Sequence, residues 1–166
     1  MEMLSALDST FIYLESEHSP MTIGGVYVID AGEAPEGFSY ASWHSLVKSR
    51  LRLSKVFRQR LVEVPLDLSY PYWINDPGFE LHNHLPRVQL EQPGGMPELM
   101  KLAAKTWSGV LDREQPLWDI TFVEGINNIS EIAKNSFALI TRVHHAAVDG
   151  KASTEMMTAL LDVTAS

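Results

Sequence analysis

The stretch ITFVEGINNISEIAKNSFALITRVH, residues 120–144, decides the fold of this chain. Residues 120–124 and 136–144 are rich in β-branched and aromatic side chains, and the polar segment 125–131 follows the first run. This pattern predicts two strands joined as an antiparallel hairpin. Because the two strands lie close together along the chain, a mixed sheet with helices on one face is favoured over a doubly wound parallel sheet. The predicted fold class is therefore α+β, or α/β in a looser classification.

The N-terminal part of the chain predicts a helix followed by a strand. Ser5 and Asp8 have the spacing of a capping box before apolar residues at helical intervals, which predicts a helix over residues 5–16. Residues 22–30 have the composition of a strand, and the pair Gly24-Gly25 within them indicates a bulge or a close backbone approach.

Three further helices and one proline-rich region are predicted along the rest of the chain. One helix begins after a serine cap at Ser39 or Ser42 and carries an apolar face. The most regular helical periodicity covers residues 97–111, with a proline in the first turn, and residues 153–162 also have helical spacing. Residues 58–90 contain four prolines and predict short, irregular strands.

Composition and charge exclude several classes of function. The 166 residues are enough for one domain, and 21 acidic against 13 basic residues give a net charge of −8. Without a block of Lys and Arg, the chain is a poor candidate for binding DNA or RNA. The absence of cysteine excludes disulfides, thiolate zinc sites and a cysteine nucleophile. Since no secretory signal or apolar run of ~20 residues is present, we expect a cytoplasmic location and at most peripheral membrane contact.

The candidate chemistry lies in RVHHAAVDG, residues 142–150, at the end of the second predicted strand. Successive side chains of a strand point to opposite faces, so His144 and His145 cannot both enter one pocket unless the strand has already ended. At most one of them is then the proton-transfer residue. A histidine whose ordinary pKa is about 6.5 suits the deprotonation of a hydroxyl at neutral pH. Asp149, followed by Gly150, is placed to fold back and hold the loop.

Structural roles remain open for these and other polar residues. On spacing alone, a histidine pair at a strand end is more often structural or exposed than catalytic. Adjacent histidines with one aspartate do not make a compact ligand set, and we predict no metal site. The segment His82-Asn83-His84 is interpreted as a surface or structural strand, and Pro116-Leu117-Trp118-Asp119 as a packing and turn element.

The pattern His144-His145-x-x-x-Asp149-Gly150 resembles the active-site motif of the coenzyme A-dependent acyltransferases. That superfamily includes chloramphenicol acetyltransferase and the condensation domains of nonribosomal peptide synthetases. Further segments, in register from about residue 4 to the end, are similar to the bacterial wax ester synthase/diacylglycerol acyltransferase family. These segments are LDSTF at 7–11, PMTIGG at 20–25, FRQRL at 57–61, WIND at 73–76 with FEL at 79–81, and LDREQPLWD at 111–119.

The resemblance implies a fold like one half of chloramphenicol acetyltransferase and an O-acyltransferase activity. The acyl group would pass from a long-chain acyl-CoA to the hydroxyl of a fatty alcohol or a diacylglycerol, with acyl-CoA as substrate and no cofactor. The resemblance makes His145 the general base, gives His144 and Asp149 supporting roles and lets Gly150 form the turn. It also places a substrate channel near Pro116, Leu117 and Trp118.

The same resemblance implies that residues 1–166 are an N-terminal domain whose family partner, a C-terminal domain, is absent from this chain. We expect that domain or a second chain to be a partner, together with peripheral contact with the inner membrane or lipid droplets. Because acyl-CoA is anionic and the chain carries −8, the donor would be attracted by a local basic patch or by the other domain. Two alternatives remain: a non-catalytic acyl-lipid binding or interface module, and a condensation-type acyltransferase that uses carrier-bound acyl groups.

Overall fold

The computed structural model describes residues 1–32, 38–133, 135–148 and Leu160. It contains three α-helices and eight strands within that part of the chain. In chain order they are β1 (Glu2–Met3), α1 (Ala6–Leu14), β2 (Thr22–Ile23), β3 (Val26–Ile29), α2 (Tyr40–Arg50), β4 (Gln59–Val62), β5 (Tyr72–Asn75), β6 (Arg87–Gln89), α3 (Met96–Trp107), β7 (Trp118–Glu124) and β8 (Phe137–His144).

A five-stranded mixed sheet forms the centre of the molecule. Strands β7 and β8 pair antiparallel over most of their length, as the sequence predicts for residues 120–124 and 136–144. The other edge of β8 pairs antiparallel with β2 and then β3, whereas β6 runs parallel to β7. The predicted α+β class with a mixed sheet is thus confirmed. A separate antiparallel sheet has the order β1-β5-β4, and the sequence pattern indicated neither β1 nor this second sheet.

Helices cover both faces of the central sheet, so the prediction of helices on one face is wrong. Trp43 and Val47 of α2 pack with Ile120 and Leu139 on one face. On the other face, Leu99 and Ala103 of α3 share a second cluster with side chains of the alternate positions of β7 and β8, namely Val123, Ala138 and Ile140. The physical reason is in the sequence: strands that are apolar at successive positions, rather than alternating, bury both faces.

The starts of the first three predicted helices are confirmed, and their predicted ends are less accurate. The Ser5 hydroxyl accepts a hydrogen bond from the Asp8 amide at the start of α1, and Ser39 caps α2 by accepting from the Ser42 amide. Helix α3 ends at Trp107, four residues before the predicted end, where the chain turns through Gly109. The predicted helix over 153–162 lies outside the described residues except for Leu160, which is buried.

Gly24 and Gly25 divide the predicted strand 22–30 into β2 and β3. A Cβ at Gly24 would lie 1.9 Å from the Thr141 carbonyl oxygen, so only glycine fits at this approach to β8. The next residue is tied to the same place, since the Gly25 amide donates to Thr141 Oγ1 at 3.0 Å. The predicted close backbone approach is therefore confirmed. It fixes the segment that carries Met21 and β2 beside the end of β8.

Candidate active site

The motif histidines lie where β8 ends against β2. Strand β8 stops at His144, which pairs with Thr22, and a 3₁₀ turn begins at His145. The His144 amide donates to the Leu117 carbonyl at 2.9 Å, and the His145 amide donates to the Met21 carbonyl at 2.8 Å. Because the strand ends between the two histidines, their side chains are not bound to the strict alternation of a strand.

His144 is fully buried, with one ring nitrogen bonded to the backbone and the other beside a carboxylate. Its Nδ1 accepts a hydrogen bond from the Ala146 amide at 3.0 Å, so the neutral ring carries its proton on Nε2. Nε2 lies 3.3 Å from Oε1 of Glu15, a close contact outside the ideal geometry of a hydrogen bond. Burial lowers the pKa of His144, and the Glu15 carboxylate acts in the opposite direction. This environment favours a neutral, fixed imidazole.

Glu15, at the C-terminal end of α1, joins His144 to a buried ionic network. Its side chain is only 3 % exposed. Oε1 also accepts a hydrogen bond from the Met21 amide at 3.1 Å, and Oε2 lies 3.2 Å from Nη2 of Arg113. Arg113 in turn donates to the Ile12 carbonyl at 2.7 Å and to Glu63 at 2.9 Å. A cation therefore compensates the carboxylate that would be costly to bury alone.

His145 differs from its neighbour because the residue is only partly buried. The imidazole stacks on the Phe11 ring of α1, with a centroid separation of 4.2 Å and an angle of 17° between the planes. Stacking on one face leaves the ring edge, with its nitrogens, free of that contact. Of the two motif histidines, His145 is thus the less buried.

A cavity of about 310 Å³ adjoins the turn that follows His145. Its walls combine the apolar surfaces of Ala146, Ala147, Val148, Val56 and Trp73 with the polar side chains of Glu2, Asp8, Lys55 and Gln59. The Lys55 ammonium lies 3.5 Å from Glu2. A wall that combines apolar and polar surface in similar measure suits an amphipathic ligand.

The remaining predicted site residues lie in different surroundings. Asp149 and Gly150 are outside the described residues, so their loop role stays a prediction. Leu117 and Trp118 are buried in the core, and a channel role for them and Pro116 also stays a prediction. Asp119 pairs with Arg142, whose guanidinium also donates to the carbonyls of Thr106 and Gly109 at 2.8 Å each, so this pair joins β7, β8 and the end of α3.

His82 and His84 lie in a 3₁₀ turn, so the prediction of a strand at this segment is wrong. His84 is buried between the rings of Phe79 and Trp118, and its Nδ1 bonds to the Trp118 carbonyl at 2.7 Å. Burial lowers the pKa of His84. His82 is exposed beside Glu80. In the described ranges no group of three or more His, Asp or Glu side chains is arranged to hold a metal ion.

The sequence patterns did not indicate Glu15 and Arg113 as site residues. Glu15 lies just beyond a helix end, and Arg113 lies in the segment 111–119 that carries the family resemblance. Their contact joins residues 98 positions apart in the chain. A buried carboxylate beside a histidine motif becomes visible only once α1 is placed against the end of β8.

None of the helices in the described part of the chain has the length and apolar character needed to cross a bilayer.

Comparison with known proteins gives a consistent result over nearly the whole chain. The sequence model described as "Wax ester synthase/diacylglycerol acyltransferase catalytic domain" matches residues 4–166. A probable diacylglycerol O-acyltransferase of Mycobacterium tuberculosis is 37% identical over 164 residues, which cover 98% of this chain and 33% of that protein. A second, putative diacylglycerol O-acyltransferase of the same species is 32% identical over 96% of this chain and 31% of its own length. The chain thus spans about a third of these relatives.

Solved structures agree with this pattern. A wax ester synthase/diacylglycerol acyltransferase from Marinobacter aquaeolei superposes with a TM-score of 0.75 and 30% identity, covering 99% of this chain and 38% of that one. The starter condensation domain of rhizomide synthetase superposes with a TM-score of 0.70, over 96% of this chain and 36% of that one. Its identity is 13%, which indicates a shared fold alone.

Proposed function

We propose that this chain, which belongs to the wax ester synthase/diacylglycerol acyltransferase catalytic domain family, carries the general base of an O-acyltransferase. The reaction would move a long-chain acyl group from acyl-CoA to the hydroxyl of a fatty alcohol or a diacylglycerol. The observation that carries the proposal is the contrast between the two motif histidines. His144 is buried and bonded to the backbone, whereas His145 is only partly buried and directly precedes the turn that lines a cavity of mixed apolar and polar character.

In the proposed reaction, His145 acts as the base in a direct attack that needs no covalent enzyme intermediate. An imidazole nitrogen takes the proton of the acceptor hydroxyl while its oxygen attacks the thioester carbonyl. The tetrahedral intermediate then collapses, the C–S bond breaks, and the new ester C–O bond remains. The proton on the imidazolium passes to the departing CoA thiolate, which returns His145 to its neutral form. Stacking on Phe11 supports this role because it restricts the ring to one plane.

The cavity beside the turn supports a site for the apolar part of a substrate. Its walls are formed by Ala146 to Val148, which follow the proposed base directly, and by Trp73. Glu2, Asp8 and Lys55 also line the cavity, and the chain as a whole carries −8. We therefore assign most of the attraction for the anionic CoA moiety to protein outside this chain, in a C-terminal domain or a second chain.

An exposed apolar surface supports contact of the chain with a lipid boundary or with such a partner. Met3, Tyr13, Leu68 and Tyr70 line one groove, and the neighbouring Leu66 is 89% exposed. Exposed apolar patches of this kind mark sites of contact with proteins or membranes.

The experiment that tests the proposed function is a thiol-release assay in a chimera. The chain replaces the 38% of the Marinobacter enzyme that it matches, and CoA release from palmitoyl-CoA is followed with and without hexadecanol or dioleoylglycerol. We expect release that depends on the acceptor. His145→Ala should lower this rate by about 10²-fold or more, in the range that general-base catalysis contributes. His82→Ala, at an exposed histidine away from the motif, is the matched control and should retain the rate.

Turnover by His145→Ala close to that of the unchanged chimera would show that another group is the base. Palmitoyl-CoA binding without release would favour a non-catalytic acyl-lipid module. Transfer only from carrier-bound acyl groups would favour a condensation-type reaction.

A further inference from the structure

Glu15, which follows α1, links the two motif histidines through one buried carboxylate: it contacts His144 directly and His145 by way of Met21. Oε1 of Glu15 lies 3.3 Å from Nε2 of His144 and accepts the Met21 amide at 3.1 Å. The Met21 carbonyl, in the same residue, accepts the His145 amide at 2.8 Å. One oxygen atom is thus connected to the side chain of the first histidine and, through a single residue, to the backbone of the second.

We infer that Glu15 is the positioning residue of the motif, holding the His144 ring and the His145 backbone, and that Arg113 is the cation that keeps this carboxylate in place. His144 then acts as a rigid support rather than as a second base, because it is fully buried, its Nδ1 accepts the Ala146 amide and its Nε2 faces the Glu15 carboxylate at 3.3 Å. The consequence for the rate of acyl transfer rests on the proposed function of His145. The positioning itself does not.

Variants that remove one charge at a time can distinguish a positioning role of Glu15 from a merely structural one. In the described part of the chain, the charged and titratable groups that act on His144 are Glu15, Arg113 and His145. The Glu15 carboxylate raises the pKa of His144, and the Arg113 guanidinium lowers it. Removing one charge or the other should therefore move the titration of His144 in opposite directions. Simple loosening of the site would instead move it toward the ordinary value of about 6.5 in both variants, because exposure relieves the burial of the ring.

The experiment is a nitrogen-15 NMR titration of the histidine side chains in the 166-residue chain. The variants are Glu15→Gln and Arg113→Gln, which conserve much of the side-chain size. We expect His144 to carry its proton on Nε2 at pH 7 in the unchanged chain. Its titration midpoint should fall by about 1 pH unit in Glu15→Gln and rise by a similar amount in Arg113→Gln. Glu98→Gln is the matched control: Glu98 also accepts a backbone amide, from Gly95 at 2.9 Å, but does so at the start of α3. It should leave the midpoint unchanged.

Amide hydrogen exchange tests the second half of the inference. In Glu15→Ala the Met21 amide loses its acceptor, and protection of the His145 amide should fall by about 10-fold or more. The Leu90 amide, which bonds to the Glu124 carbonyl at 2.8 Å in the central sheet, should keep its protection. If Glu15→Ala does not fold, Glu15→Gln still decides the inference by the titration. Midpoints that move the same way in both charge variants, or that do not move, would overturn it.

The catalytic consequence is measured in the same chimera as above. Glu15→Gln should lower kcat about 10-fold with little change in KM for palmitoyl-CoA, because a misplaced base costs rate rather than binding. A His145→Ala chimera that remains active would remove the proposed function while leaving the NMR outcome to decide the positioning role. Loss of activity in His145→Ala, combined with unchanged kcat in Glu15→Gln, would remove the positioning role in catalysis alone.

Discussion

Replacing Gly24 with alanine should destabilise the fold at the point that also supports the motif. The added methyl group would lie 1.9 Å from the Thr141 carbonyl oxygen and 3.0 Å from Nε1 of Trp107. Ordinary contact begins at 3.4 Å, so the segment between β2 and β3 must retreat from β8 by about 1.5 Å, the difference between 3.4 and 1.9 Å. The obstacle is backbone, which cannot rotate away as a side-chain tip can.

The cost follows from the contacts that such a retreat stretches. Three hydrogen bonds meet at this place: the Gly25 amide to Thr141 Oγ1 at 3.0 Å, the Thr141 amide to the Gly25 carbonyl at 2.9 Å, and Trp107 Nε1 to the Thr141 carbonyl at 3.1 Å. Each contributes about 1 kcal/mol, and overpacking adds roughly 1–3 kcal/mol. Weakening two or more of these bonds gives a loss of about 3–5 kcal/mol in the free energy of unfolding. For a chain of this size that corresponds to a fall in Tm of roughly 10 °C.

The assay is urea unfolding followed by tryptophan fluorescence, with Tm from a thermal melt. Gly25→Ala is the matched control, since it adds the same methyl group one residue later. There the nearest atoms are ring atoms of Tyr27 at 3.1–3.3 Å, which belong to a side chain able to shift. We expect a loss of no more than about 1 kcal/mol for this variant. Equal stability of the two variants would refute the reasoning, because it would mean that the Thr141 carbonyl does not limit the approach.

Three further predictions concern the ion pair, the buried histidines and the exposed surface. Arg142→Met should lower the free energy of unfolding by about 3–5 kcal/mol, because it leaves the Asp119 carboxylate buried without its cation. The double variant Arg142→Met/Asp119→Leu should recover part of this loss in the same urea assay. Folding lowers the pKa of both His84 and His144, so below about pH 6.5 the unfolded chain binds more protons than the folded chain. The free energy of unfolding should therefore fall as the pH is lowered, by up to ~1.4 kcal/mol per pH unit for each histidine. A free energy of unfolding that stays constant from pH 7 to pH 5 would contradict this. The 166-residue chain alone should show negligible turnover and should self-associate in ultracentrifugation. The change of Leu66 and Leu68 to serine should weaken that association, because both side chains are exposed. A monomeric, fully active chain would count against this prediction.

Local signals predicted the elements that local forces determine. The serine caps of α1 and α2 and the apolar runs of β7 and β8 are encoded within a few neighbouring residues, and all four elements form as expected. The sequence also contains the signal that both faces of the central sheet are buried. The segment FALI at 137–140 is apolar at every position, and such strands are covered on both faces.

The elements that were missed depend on contacts between distant parts of the chain. Strand β1 contains two residues and exists because Glu2 and Met3 pair with Trp73 and Tyr72 of β5. Two residues carry no periodicity, so pattern analysis cannot find such a strand. The alternation of histidines at 82 and 84 predicts an extended segment, whereas the structure forms a turn there. Its conformation is instead compatible with the burial of His84 between two aromatic rings.

The roles of the motif histidines likewise depend on contacts between distant parts of the chain. From the sequence, His144 and His145 are two adjacent residues of one type, and alternation along a strand says only that they face different surroundings. The surroundings come from elsewhere: α1 contributes Glu15 to one ring and Phe11 to the other, and the residue before β2 holds the backbone between them. Burial then lowers the pKa of one imidazole while the other keeps access to solvent. A histidine pair becomes a support and a candidate base only when the N-terminal helix packs against the end of β8, which is why any variant that displaces α1 should alter both residues together.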